Sequence, residues 1–256
     1  MLLSNILRGL IVLVFTWMSL PLFAIELKTA AQNSHPKYFM LEGNKMGGIC
    51  VDIMQAIERV DPEIKFNGYG KFMPFKRLQK GLEEGKLDVF FGFKKTKARQ
   101  AKYLFLDAPL YQVNYVLAVR KGDNAEINSF DDIRSLNSKR SILTVFGSAA
   151  SDFLQSQGGM QVDDHANNTK NLLKMLINDR GRFAFYHDLG LSSAIKYGGY
   201  SSRIEILPAS FLTYHHYAAF SSTTSKETIN KVKQALDKLE GNGEMARIIG
   251  KYNLQK

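Results

Sequence analysis

Cysteine is almost missing from this chain: Cys50 is the single one in 256 residues. No intrachain disulfide can form, and a metal site built on cysteines is excluded. Cys50 lies in the apolar run Ile49-Cys50-Val51, which predicts a buried, inert thiol. Internal repeats and low-complexity tracts are also lacking. So are a Gly-x-Ser-x-Gly nucleophile elbow, a phosphate loop and a His-Glu-x-x-His helix. The adjacent pair His215-His216 would project to opposite faces of a strand, so its spacing is not that of a metal pair. No metal and no cofactor is implied. Long hydrophobic runs are limited to one, residues 9–20, preceded by Arg8. That run has the length of a signal-peptide core and is short for a membrane span. We therefore expect a leader over residues 1–24, cleaved after Ala24, with an uncleaved anchor as the alternative. No cysteine follows the run to carry a lipid.

Acidic residues are outnumbered. The formal charge is +10, and removing residues 1–24, with one arginine and no acid, leaves +9. A basic surface suits nucleic acid, anionic lipid or acidic solutes. Export argues against nucleic acid, and the lysines are spread along the chain rather than gathered in a stripe.

What remains, residues 25–256, is one or two domains' worth of chain, ample for a sizeable core. Residues 25–30 alternate as a strand; residues 51–60 carry helical spacing and stop at Asp61-Pro62; residues 64–69 form a strand and residues 75–84 a helix ended by Gly85. The order strand, helix, strand, helix, strand implies parallel pairing with right-handed crossovers. Further on, residues 115–119, 141–146 and 182–186 read as strands. Residues 168–177, 225–239 and 242–252 read as helices. Gly147-Ser148-Ala149-Ala150 opens another helix, whose first N–H groups would face an anion.

Residues 85–111 are the most informative stretch. Gly85-Lys86 turns, residues 87–91 form a buried strand, and the chain leaves through Gly92 into a loop holding Lys94, Lys95, Lys97 and Arg99. Ligands of open α/β sheets bind beyond the carboxyl ends of strands. A guanidinium there is placed to fork onto a carboxylate. From charge content alone, Arg99 is one more cation of a solvated face beside Lys94, Lys95, Lys97 and Lys102.

Three motifs run in order here: Gly85-Lys86-Leu87-Asp88, Thr96-Lys97-Ala98-Arg99, and Phe105-Leu106-Asp107-Ala108-Pro109-Leu110-Tyr111. This set resembles the type II periplasmic solute-binding proteins of the polar amino acid class, bacterial extracellular solute-binding family 3, with one extra residue before Tyr111. The resemblance covers roughly residues 27–253. It implies an α/β fold of two lobes with a hinge and an interlobe cleft: residues 25–113 with 211–256 as the first lobe, and 114–210 as the second. It also implies a monomeric periplasmic binder without enzymatic activity, which delivers a small polar solute, amino-acid-like or carboxylate-bearing, to the membrane permease of an ABC transporter. Two alternatives share the fold: a dehydratase-like enzyme, which needs a catalytic carboxylate in the cleft, and a ligand sensor without a transporter.

By the same resemblance Arg99 pairs with the ligand carboxylate and Asp188 takes an ammonium, although the register there is one residue short and Asp188 also suits a helix N-cap. Phe75 matches an aromatic that flanks the ligand, or else it packs in the core. Ser148 begins the anion-facing helix. Tyr38 and His35 lie in the first strand-to-helix loop, where one of them would face the cleft. Two positions depart from the family pattern. Lys94 stands where a hydroxyl is common, and Ala149 where threonine is. A lysine gained and a hydroxyl lost favour a more acidic ligand, unless Lys94 points to solvent.

Overall fold

The computed structural model describes residues 24–136 and 141–252. The leader expected over residues 1–24 lies outside them, apart from Ala24.

Alternation builds the first strand. In β1 (Ile25–Lys28), Leu27 is buried between exposed Glu26 and Lys28. The chain then forms a small hairpin of β2 (Phe39–Met40) and β3 (Met46–Gly47), followed by α1 (Ile49–Val60). Helix α1 returns it to β4 (Ile64–Asn67), which pairs in parallel with β1 and sets Phe66 opposite Leu27. Next come α2 (Phe75–Glu83), β5 (Val89–Lys94), the single turn α3 (Lys97–Gln100) and β6 (Tyr103–Phe105).

The chain crosses over in β7 (Tyr111–Arg120), then forms α4 (Phe130–Ser135), β8 (Ser141–Val145), α5 (Ala149–Gln157), β9 (Gln161–Ala166) and α6 (Thr169–Ile177). It continues through β10 (Phe183–His187) and α7 (Asp188–Tyr197). The long β11 (Ile204–Ser221) brings it back to α8 (Lys226–Gly241) and α9 (Glu244–Lys251).

Strands β7 and β11 lie antiparallel from Ile204 opposite Arg120 to His216 opposite Tyr111. They join two bodies into one strand order, β5-β11-β7-β10-β8-β9, with β6 also on β11. Strand β8 pairs in parallel with β10 and β9. Two apolar cores form on either side of the crossing. One gathers residues such as Ile53, Leu78, Phe90, Phe220 and Leu239; the other gathers Leu117, Ile142, Leu172, Phe185 and Leu191. Val113 belongs to the first core and Tyr115 to the second, while Tyr214 packs against both. The α/β architecture expected from the element order is the one observed.

Among the elements that differ from the sequence expectation are β5, β9 and β11. Strand β5 runs from Val89 through Gly92 to Lys94, not over residues 87–91. Ahead of it the Asp88 carboxylate accepts the Lys28 N–H at 2.7 Å, and the Asp88 N–H donates to the Lys28 carbonyl at 2.8 Å, which ties β5 to β1. Strand β9, with its acidic Asp163-Asp164, carries too little apolar periodicity to announce itself. Strand β11 contains Pro208, which a regular ladder rejects. The register shifts between Ile206 and Ser210, where that proline is accommodated.

Candidate functional site

Between the two cores lies a small cavity of about 30 Å³, at the ends of β5 and β10 and beside the N-terminus of α5. Each lining side chain is placed by a local rule. Thr96 caps the one-turn α3, its hydroxyl accepting the Arg99 N–H at 3.3 Å. That turn aims the Arg99 guanidinium inward, over Phe93 at 4.7 Å and Phe75 at 5.6 Å, with Nη1 donating to the Lys94 carbonyl at 3.2 Å. Arg99 is 6 % exposed and its Nη2 has no hydrogen-bond partner among the described residues.

Lys94 ends β5 and does not run to solvent. Its Nζ sits 4.4 Å from the Tyr214 ring, 4.5 Å from Tyr115 and 5.2 Å from Phe153. Lys37 enters from the first loop. The opening N–H groups of α1, on Ile49 and Cys50, donate to the carbonyls of Pro36 and Lys37 at 2.9 and 3.2 Å and hold the loop. Lys37 is 3 % exposed, and its Nζ donates to Gln32 Oε1 at 2.6 Å. Gly92 lines the cavity at φ +95°, where an added Cβ would lie 3.1 Å from both Cys50 Sγ and Lys37 Cδ.

The second body supplies Ser148, Tyr115 and His187. Ser148 caps α5, its Oγ accepting the Ser151 N–H at 3.2 Å while donating to the Val145 carbonyl at 2.7 Å. His187 caps α7 through Nδ1, which accepts the Gly190 N–H at 2.9 Å. That bond makes Nδ1 the acceptor and leaves the proton on Nε2, a buried donor without a partner. His216, on β11, stands edge-on to His187 at 5.6 Å and also has an unpartnered Nδ1.

The electrostatics are one-sided. Lys37, Lys94 and Arg99 form no ion pair among the described residues, and none of the residues lining the cavity is Asp or Glu. Burial, with Arg99 adding repulsion, lowers Lys37 and Lys94 to about 8. Burial lowers Arg99 as well. His187 and His216 are held well below the ordinary histidine range, first by burial and then by Lys37. Among the described residues no cluster of three or more His, Cys, Asp or Glu is arranged to hold a metal ion.

Of the residues singled out from sequence, Arg99, Lys94, Phe75 and Ser148 share this cavity. Asp188 does not. Strand β10 extends through His187, so alternation turns His187 inward and Asp188 away. The Asp188 carboxylate is taken up by the Asn114 backbone N–H (3.1 Å), Asn114 Nδ2 (2.7 Å) and the Leu189 N–H (2.7 Å). Nor is Asp188 the helix cap, since His187 holds that position. Tyr38 lies in the first core, its hydroxyl donating to the Phe91 carbonyl at 3.0 Å. Its neighbour Lys37 reaches the cavity instead.

His35 lies outside as well, bonded to Ser193 Oγ of α7 and stacked on Phe39 at 4.1 Å. It lines a wider surface pocket of about 500 Å³ with Asp188 and Tyr197. Sequence reasoning missed Lys37, His187, His216, Tyr115 and Tyr214. The only available signal was alternation through residues 213–217, which separates His216 from His215 without saying which is buried.

The family model of bacterial extracellular solute-binding proteins, family 3, matches residues 27–255. No curated protein sequence matches significantly. Among solved structures, a histidine kinase sensor domain with similarity to periplasmic binding proteins superposes with a TM-score of 0.79 at 15 % identity, over 91 % of this chain and 97 % of that one. An ancestral arginine-binding protein bound to arginine gives 0.76 at 20 % identity, covering 90 % and 99 %. An amino acid ABC transporter substrate-binding protein from Streptococcus pneumoniae, bound to L-arginine, gives 0.73 at 19 % identity, covering 89 % and 94 %. At these identities the likeness is one of fold.

Proposed function

The chain belongs to the bacterial extracellular solute-binding proteins of family 3, and on that premise we propose that it captures a small carboxylate-bearing solute between two lobes and delivers it to the permease of an ABC transporter. The lobes would be residues 25–113 with 211–256, and 114–210, hinged where β7 and β11 cross. The protein would be a periplasmic monomer, exported by a leader cleaved after Ala24.

One observation carries the reading: buried Arg99 faces the cavity with an unpartnered Nη2, beside Lys94 and Lys37. A buried cation without a counter-charge is costly, and an incoming carboxylate removes that cost. Ser148 and the first turn of α5 face the same space from the other lobe and add a positive helix end. Phe75 walls the site beside the guanidinium. A sensory role without transport is a second reading, favoured by the likeness to a histidine kinase sensor domain. A permease gene beside this one, or its absence, separates the two.

Calorimetry on Arg99→Ala tests the site. The variant should fold and lose about 2–5 kcal/mol of binding free energy for a carboxylate solute, the usual loss when one partner of a buried charge pair is removed. Unchanged affinity would make Arg99 a bystander.

A further inference from the structure

We propose that the solute is a compact acid carrying at least two carboxylates and no ammonium group; this rests on the solute-binding reading above.

The argument is a count of charges and donors. Lys37, Lys94 and Arg99 bring three cations to one cavity and have no acid of their own to pair with. A single carboxylate leaves that set in excess by two charges; a dicarboxylate nearly neutralises it. The free donors also lie on both sides. Arg99 Nη2 is unpartnered on the first lobe, and His187 Nε2, the protonated nitrogen because Nδ1 accepts from Gly190, is unpartnered on the second. Arg99 and His187 are only 6 % and 2 % exposed, so neither donor can turn to water for a partner. Two buried donors, one from each body, ask for an anionic group at each end of the ligand.

An ammonium has no such welcome. It needs acceptors, and the carboxylates are elsewhere. Asp188 faces outward, bonded to Asn114 and Leu189. Asp152, in the first turn of α5, is near enough for Arg99 to feel its charge but does not line the cavity. The Gln32 side-chain carbonyl is taken by Lys37 at 2.6 Å. An α-ammonium placed here would meet three like charges and no counter-charge. Compactness follows from the space: about 30 Å³ holds about two waters.

Matched ligands test this on the full chain. Succinate and aspartate differ only by an α-ammonium, as do glutarate and glutamate; butyrate keeps one carboxylate. Thermal shift and calorimetry near pH 7 should show succinate or glutarate binding at least about 100-fold tighter than the amino partner and than butyrate, a difference of about 2.7 kcal/mol. Lys37→Met should weaken the dicarboxylate at least tenfold. Aspartate, glutamate, glutamine or arginine binding as tightly as the ammonium-free acids would overturn this inference and leave the solute-binding reading standing. No response to any of these acids or amino acids would overturn both.

Discussion

His187 does two jobs that pull on its protonation state. Its Nδ1 caps α7, and its ring is buried beside Lys37, so the neutral form is strongly preferred in the folded protein. His216 is held neutral in the same way, and burial lowers His35 to about 4. In the unfolded chain each returns to about 6.5. Between the folded and unfolded values the unfolded state binds more protons, so stability rises with pH there and is lost as pH falls from about 6.5 toward 4. Each histidine adds a slope of at most about 1.4 kcal/mol per pH unit. His187→Asn keeps a capping oxygen and removes one titration. Urea midpoints for the ligand-free protein between pH 4 and 7 should therefore fall less steeply with acid in the variant than in the parent. Equal slopes would show that His187 titrates normally.

At the level of elements, the site depends on how α1 meets the loop before it. Gly48 caps α1 at φ +127°, and an added Cβ would run into the Lys37 backbone carbonyl. Gly48→Ala should cost more than about 1 kcal/mol of stability and weaken ligand binding, because the loop that aims Lys37 must shift. Ser129 offers the contrast. It caps α4 with a full capping box, closed by Asp132, away from the cavity. Ser129→Ala should cost about 1 kcal/mol and leave affinity unchanged. Paired denaturation and calorimetry decide both cases.

The elements that sequence revealed share a cause with those it hid. Helices α1, α2, α6 and α8 carry their own apolar stripe, and α1 and α2 also their own stops, so each was visible from its own residues. The Thr96 cap and Arg99 lie in one short motif, and that motif singled out a residue that lines the cavity. What stayed hidden depends on distant partners. Alternation at the end of β10 says that His187 and Asp188 face opposite ways, but only the packing of α7 and β7 says which faces in. The same holds for Lys37 against Tyr38, where the Phe91 carbonyl claims the tyrosine hydroxyl, and for the 18 residues of β11, whose proline hides a strand held by β7, β5 and β6.

The whole molecule sets two positive faces against each other. The first body presents Lys37, Lys94 and Arg99; the second presents the N-terminus of α5 and the capped start of α7. Besides Lys94 on Phe153 and His187 on His216 within the cleft, links at the edges include His35 to Ser193, and Lys76 over the Phe146 ring at 5.4 Å. Both edge links sit near the surface, and neither supplies a negative charge to the cavity. Closing the bodies would set Lys37, Lys94 and Arg99 against these two helix starts, with Asp152 of α5 offsetting part of that charge, and an anion between them would neutralise the rest. An anion that bridges both faces binds the closed form better than the open one, and that difference is the only route by which a ligand shifts the population. Strands β7 and β11 are the two crossings about which the bodies would bend. Small-angle scattering at low salt should give a larger radius of gyration for the free protein and a smaller one with saturating dicarboxylate. Raising the salt concentration should itself shrink the free protein part of the way, because screening weakens repulsion across the cleft. His35→Ala should shift the free protein further toward the open form and leave the ligand-bound radius unchanged. A radius of gyration indifferent to both salt and ligand would mean that the two bodies are rigidly joined, and that like-charge repulsion does not govern the cleft.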